Sequence, residues 1–260
     1  IVQLIISLLL VGMLVFISNI KRKVSTKAIH IEITPLKYIS PIKKLLIRFS
    51  VLLVLLFFFL PLLSLIVLSF EKNGAFTLNN YINLFNPEQF FMVKINVFDV
   101  ILQSLSISIP AAVITVVLCL IVTIIIKGKK SSSFEVYMLL PIGISTVALA
   151  YGVSFIFGDL VPSQIIIVFV HSILAFPISL RLLKTNIEKV PDFMIFIARS
   201  LGANRSHAFR TIELPMYSRG IANALSYSIA ISLSEITAIY VIGRGSIETI
   251  PMAIYKYINN

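Results

Sequence analysis

Six uninterrupted apolar runs constrain this chain more than any other feature. They are Ile1–Ile20, Phe49–Phe70, Ile101–Ile126, Tyr137–Phe157, Gln164–Leu180 and Ile221–Ile242. A bilayer core about 30 Å thick takes about 20 helical residues to cross, and these runs match that length. Apolar residues surround each run instead of forming a narrow stripe, which suits contact with lipid and with other helices together. Backbone groups in hydrocarbon must be satisfied within the element, so helix is the required form. A barrel would show alternating segments of about ten residues, which are absent. Composition agrees, with 58% hydrophobic and 13% charged residues over 260 positions, where soluble domains carry about 25% charge. Ordinary soluble and disordered chains are excluded. The expected fold class is all-α, a polytopic transmembrane helical bundle.

Charge then sets orientation. The chain carries 22 Lys and Arg against 11 Asp and Glu, a formal +11. In a soluble protein that excess would suggest nucleic acid, so its location has to decide. All 22 basic residues fall outside the six runs. Loop 21–48 holds eight, loop 127–136 holds three (Lys127, Lys129, Lys130), and loop 181–220 holds seven, so alternate loops carry 18 of the 22. The positive-inside rule places those loops in the cytoplasm. The excess is thus topological, and no nucleic-acid partner is expected.

The ends and the lone thiol say less. Ile1 is not a methionine, begins inside an apolar run and lacks the basic leader of a signal peptide. Asn260 follows closely on an outward-going run. The simplest expectation is a segment of a longer membrane protein. Cys119 is the one cysteine, so no internal disulfide forms and redox says nothing about compartment.

Loop 181–220 is longer than a connection needs. It reads RLLKTNIEKVPDFMIFIARSLGANRSHAFRTIELPMYSRG. Pro191 suits the opening of a short helix over Asp192–Leu201. Gly202 permits a left-handed turn. Asn204 or Ser206 suits the cap of a second helix, with Phe209 and Ile212 on one face and Arg205 and Arg210 elsewhere. Pro215 is expected to stop it. Two short amphipathic helices around a glycine read either as a docking element or as a helix pair resting on anionic lipid.

The run Ala198-Arg199-Ser200-Leu201-Gly202-Ala203, then Phe209, Ile212, Leu214-Pro215 and Gly220-Ile221, resembles the EAA loop of binding-protein-dependent ABC importer permeases. Ala198 matches the second alanine of that pattern, and Gly202, Ile212 and Pro215 fall at its spacing. Phe196 and Ile197 stand where its glutamate and first alanine would be. The resemblance implies a type I importer permease-like fold, with loop 190–221 fitting a cleft in a cytoplasmic ATP-binding subunit. The coupling residues it implies are Ala198, Gly202, Ala203, Arg205, Phe209, Arg210, Ile212, Leu214 and Pro215. Gly202 would set the turn, Phe209, Ile212 and Leu214 would anchor the second helix, and the two arginines would meet acidic groups.

Further expectations follow from the same resemblance. The loop lies between the fourth and fifth runs counted from Phe49, which is its place in the family. Residues 1–48 would then be the last span of a preceding half plus a basic linker, and 49–260 a permease domain lacking its last span. This is similar to the fused two-half permeases of iron(III) and thiamine importers, as are Glu235-Ile236-Thr237-Ala238 and the stretch Thr249–Tyr255. The implied partners are a dimer of the ATP-binding subunit, an external substrate-binding protein and a second permease half. The implied location is the cytoplasmic (inner) membrane. No cofactor is expected on this chain, with ATP and magnesium on the partner.

Other residues carry weaker signals. Glu235 is the one acid well inside a run, beside Ser232 and Ser234, and reads either as a solute-pathway residue or as a hydrogen-bonded packing residue. His171 reads as a buried, hydrogen-bonded histidine. Pro61, Pro110, Pro141 and Pro177 interrupt four runs, either to break helices along a path or as tolerated kinks. Ser104, Ser106 and Ser108 suit a path or plain helix packing. Segment 71–100, with Asn73, Asn79, Asn80, Asn83 and Asn86, reads as an external helix or loop, and Ser131–Ser133 as a solvated turn. No phosphate-binding GxxxxGK[ST], HExxH or GxSxG pattern occurs, so catalysis and metal binding are not expected. The rival to an importer permease is an ATP-independent channel or membrane enzyme whose basic loop only touches lipid.

Overall fold

The computed structural model describes residues 40–72, 74–84, 96–126, 138, 140–188 and 191–259. The expected span Ile1–Ile20, the basic residues of 21–37 and 127–130, Asn73, Asn86 and Ser131–Ser133 lie outside them. The described residues fall into two compact units, one within Val24–Val97 and the other within Phe98–Asn260.

The first unit holds one long helix, α1 (Pro41–Ser69). It is built almost wholly of Leu, Phe, Ile and Val, and none of its residues is buried. A two-residue antiparallel hairpin follows, β1 (Glu71–Lys72) against β2 (Ala75–Phe76), with Glu71 opposite Phe76. Then comes the short α2 (Asn79–Leu84). Asn80 donates through Nδ2 to the carbonyls of Ser69 and Glu71, each at 3.0 Å, and ties α2 back to the helix end. The described residues of 71–84 are thus part hairpin and part helix.

The second unit is a helical bundle. Its elements are α3 (Val97–Ile126), a 3-10 turn (Leu140–Gly143), α4 (Thr146–Phe157), α5 (Ser163–Ile187), α6 (Asp192–Ser200), α7 (Arg205–Ala208), a π turn (Phe209–Glu213), α8 (Leu214–Ser234), α9 (Thr237–Gly243) and α10 (Ile250–Asn259). Three described helices, α1, α3 and α5, are long and apolar enough to cross a membrane, and the bent pair ending in α8 and α9 makes a fourth.

Two expected spans differ in form. The run Tyr137–Phe157 is not one helix: Pro141 and Gly143 sit in the 3-10 turn, and α4 begins only at Thr146. Its 12 residues reach about 18 Å, short of a bilayer core. The proline and glycine break what hydropathy alone reads as continuous. The run Ile221–Ile242 is broken at Glu235-Ile236, where the chain bends by 56°. Glu235 leaves helical geometry at φ −81°, ψ 116°.

Packing in this unit runs on small residues. The buried face of α3 is Val100, Ser104, Ile107, Ser108, Ala111, Ala112, Thr115, Val116, Cys119 and Thr123, at helical spacing. α5 buries a row of five residues four apart, His171, Ala175, Ser179, Leu183 and Ile187. α8 answers with Gly220, Ala224, Ser228 and Ser232, again four apart. Rows of this kind are the ridges through which helices interdigitate, and small side chains let membrane helices approach closely. The two helices run antiparallel, since His171 meets Ser232, Ser179 meets Ser228 and Leu183 meets Gly220. A Cβ at Gly220 would stand 2.9 Å from Asn186 Cβ and 3.2 Å from Leu183 Cδ1.

Hydroxyls stitch the same contacts. Ser179 and Ser228 share a 2.8 Å hydrogen bond. Ser172 donates to the Ala111 carbonyl at 3.1 Å, and Thr115 to the Ser172 carbonyl at 3.3 Å. Pro177 sits inside α5, one residue beyond the Phe176 carbonyl, which receives Cys119 Sγ at 3.6 Å. Ser106 instead donates to its own helix at Gln103 and is exposed, so the three α3 serines do not share one face.

Candidate functional site

The loop that resembles the EAA element folds as helix, left-handed turn, helix. α6 ends in a Schellman arrangement: the Ala203 amide donates to the Ala198 carbonyl at 3.0 Å, and the Gly202 amide to the Arg199 carbonyl at 3.1 Å. These bonds satisfy two carbonyls that a helix C-terminus leaves unpaired. Gly202 takes φ +92°, which side chains with a Cβ rarely adopt. The residues that carry the resemblance, Ala198, Gly202 and Ala203, are therefore the residues that close this turn.

Asn204 then caps the second helix, accepting from the His207 amide at 2.7 Å through its side chain. Pro215 does not stop that helix, contrary to expectation. α7 passes through the π turn directly into α8, and Pro215 falls in the first turn of α8. Pro215 has no N–H to donate, and the helix passes it through the wider π turn, after which the Leu214 amide donates to the Phe209 carbonyl. Residues Arg205–Ser234 are consequently one helical rod, and the loop and the following span form one mechanical element. π turns are uncommon and often mark functional positions in helices.

Burial divides the loop into two sides. Phe193, Phe196, Ile197 and Leu201 are all exposed on α6, Phe196 at 72% and Leu201 at 83%. Their spacing places them together on the helix surface. Arg205, Arg210 and Pro215 are also exposed, Leu214 is just over a third exposed, and Phe209 and Ile212 are half-buried. Where the EAA pattern has a glutamate, this chain presents the phenyl ring of Phe196.

Tyr217 is the site residue that sequence reading does not single out. It is fully buried, its hydroxyl donates to Glu213 Oε2 at 2.5 Å, and its ring meets that of Phe209 edge-on with centroids 6.5 Å apart. It packs with Val116 and Cys119 of α3 and Leu180, Leu183 and Ile187 of α5. One side chain thus joins the π turn to the bundle core. Its register three residues before Gly220, on the small-residue row of α8, is the signal that would have found it.

The three residues expected along a solute pathway sit differently. Ser232 is buried and its Oγ lies 2.7 Å from His171 Nδ1. Ser234 is exposed and donates to the Ile231 carbonyl at 3.0 Å. Glu235 is half-buried at the helix break, where its Oε1 accepts from the Thr237 amide at 2.8 Å and so caps α9. Among the described residues no group of three His, Cys, Asp or Glu stands close enough to hold a metal ion.

No protein-family model matches the chain. It is 26% identical over 219 residues to PhnV of Salmonella paratyphi A, a protein assigned to 2-aminoethylphosphonate transport as a permease, and the match takes in 78% of each chain. It is 26% identical over 100 residues to the Fe(3+)-transport system permease protein FbpB 2 of Haemophilus influenzae, covering 38% of this chain and 20% of that one. It is 21% identical over 176 residues to the thiamine transport system permease protein ThiP of Escherichia coli, covering 62% and 33% respectively. With these relatives, its all-helical architecture and its membrane-crossing helices, the chain is a multi-pass membrane transport permease related to those of binding-protein-dependent ABC importers.

Proposed function

We propose that loop 190–221 docks into a cytoplasmic ATP-binding subunit and that the rod Arg205–Ser234 carries its displacement into the membrane. The observation that supports this most is the continuity of loop and span through the π turn, with Tyr217 locking that junction to the core. In this reading Phe193, Phe196, Ile197 and Leu201 enter an apolar part of the partner's cleft. Arg205 and Arg210 meet its acids, and Phe209, Ile212, Leu214 and Pro215 hold the second helix in place. ATP and magnesium bind the partner, which works as a dimer, and the partner supplies the hydrolysis. A second permease half, in the same or another chain, completes the pathway, with residues 1–48 linking to it and 49–260 forming this half.

The cargo is a small solute delivered by an external binding protein, of iron(III) or thiamine type, with 2-aminoethylphosphonate added by the name of one relative. For its path we propose the break between α8 and α9, lined by Glu235 and Ser234 with Ser232 beneath.

Gly202→Asp tests the docking assignment. Nothing lies within 4 Å of a Cβ at Gly202, so the change disturbs the turn and the docking surface without touching the core. The expected result is normal membrane insertion, loss of co-purification with a Walker-motif ATPase and loss of uptake. Association and uptake at native levels would overturn the assignment. Competition among iron(III), thiamine and 2-aminoethylphosphonate in proteoliposome uptake identifies the cargo, and Glu235→Gln should alter that uptake while leaving ATPase association intact.

A further inference from the structure

Three buried side-chain atoms find no hydrogen-bond partner among the described residues: Ser108 Oγ on α3, His171 Nε2 on α5 and Thr249 Oγ1 just before α10. Ser108 and His171 are fully buried, and Thr249 is 2% exposed. Unpaired polar groups in such a setting are costly, and each one calls for an explanation.

Their chain neighbours lie in one part of the second unit. Ser104 Oγ accepts from the Ile250 amide at 2.8 Å, so the strand-like stretch holding Thr249 lies against α3 at Ser104. Ser172 Oγ donates to the Ala111 carbonyl, so α5 lies against α3 at Ala111. Ser108 falls between these contacts, about 6 Å along the helix from Ser104 and about 4.5 Å from Ala111. Ile107 and Val170, next to Ser108 and His171, and Ile247, two residues before Thr249, belong to one apolar cluster.

Ser108 is also exceptional on its own helix. Ser104, Thr115 and Thr123 each donate to the carbonyl four residues back, at 2.6–2.8 Å, and Ser108 does not. His171 has its other nitrogen, Nδ1, committed to Ser232. That contact holds the imidazole plane fixed and leaves Nε2 directed elsewhere.

We propose that Ser108, His171 and Thr249 form an internal hydration site that holds one resident water. A buried water typically makes about three hydrogen bonds to otherwise unsatisfied groups, and three are offered here, all uncharged. Two hydroxyls can each donate or accept, and an imidazole nitrogen does either according to tautomer, so the set suits a molecule that both donates and accepts. The water would join α3, the seam between α5 and α8, and the segment that follows α9. It lies close to Ser232, three residues before the break at Glu235, where rearrangement without stranding polar groups requires a partner that can reorient.

The test is water-edited solid-state NMR on the full chain in lipid bilayers with 15N-labelled histidine. The resonance of His171 is identified by its loss in His171→Gln, and exposed His207 serves as the hydrated control. The expected result is magnetisation transfer from water to His171 Nε2, and its loss in the double variant Ser108→Ala with Thr249→Val. A native His171 Nε2 that receives no transfer overturns the proposal, as does transfer that persists unchanged in the double variant. The native-chain measurement is decisive by itself should the double variant fail to fold.

Discussion

α1 and α3 are nearly equal in length and equally free of charge across their middles, yet they carry different side chains, and α3 buries ten residues within its own unit. Hydropathy does not separate them. Side-chain size does. The central turns of α1 are Leu, Phe, Ile and Val on every side, whereas α3 carries Ser, Ala, Thr and Cys down one face and Ile, Val and Leu down the other. In water a buried face is recognised by being apolar. In a membrane lipid tails are as apolar as leucine, so association is decided by close approach and hydrogen bonding. The face of α3 that packs is therefore the smaller and more polar one.

This difference can be broken at defined positions. The largest effect is expected at the closest approach. Gly220→Leu forces a side chain against Asn186 and Leu183 and should cost about 3 kcal/mol of stability, measured by unfolding in mixed micelles. An unchanged midpoint would mean that α5 and α8 do not meet there. Ala112→Leu on the fully buried face of α3 should cost about 2 kcal/mol by overpacking. A double-mutant cycle on Ser179 and Ser228 should give a coupling of about 0.6 kcal/mol, the size usual for hydrogen bonds between membrane helices.

Much of loop 190–221 was legible because its residues act locally. A glycine at a left-handed position, an asparagine three residues before the amide it caps, and an Ala-Arg-Ser-Leu-Gly-Ala run that closes a Schellman turn need only their neighbours in the chain. Pro215 was misread because its meaning depends on where the α-turn begins. A π turn before it lets the helix continue past it, and nothing in the local pattern announces that turn. Glu235 was ambiguous for a similar reason: only the 56° bend turns a carboxylate within an apolar run into the cap of α9.

By itself, the sequence determined that the chain is helical, that it crosses a membrane several times, and which residues close the turn of its long loop. These follow from backbone hydrogen bonding in hydrocarbon and from local chain geometry. Tertiary structure alone decided which faces pair, that Tyr217 joins the loop to the core, and that Ser108, His171 and Thr249 are buried with side-chain atoms unpaired among the described residues. Those choices rest on contacts between residues as far as 146 positions apart. Over such separations hydropathy assigns every face to the same apolar medium, and only shape and hydrogen bonding tell them apart.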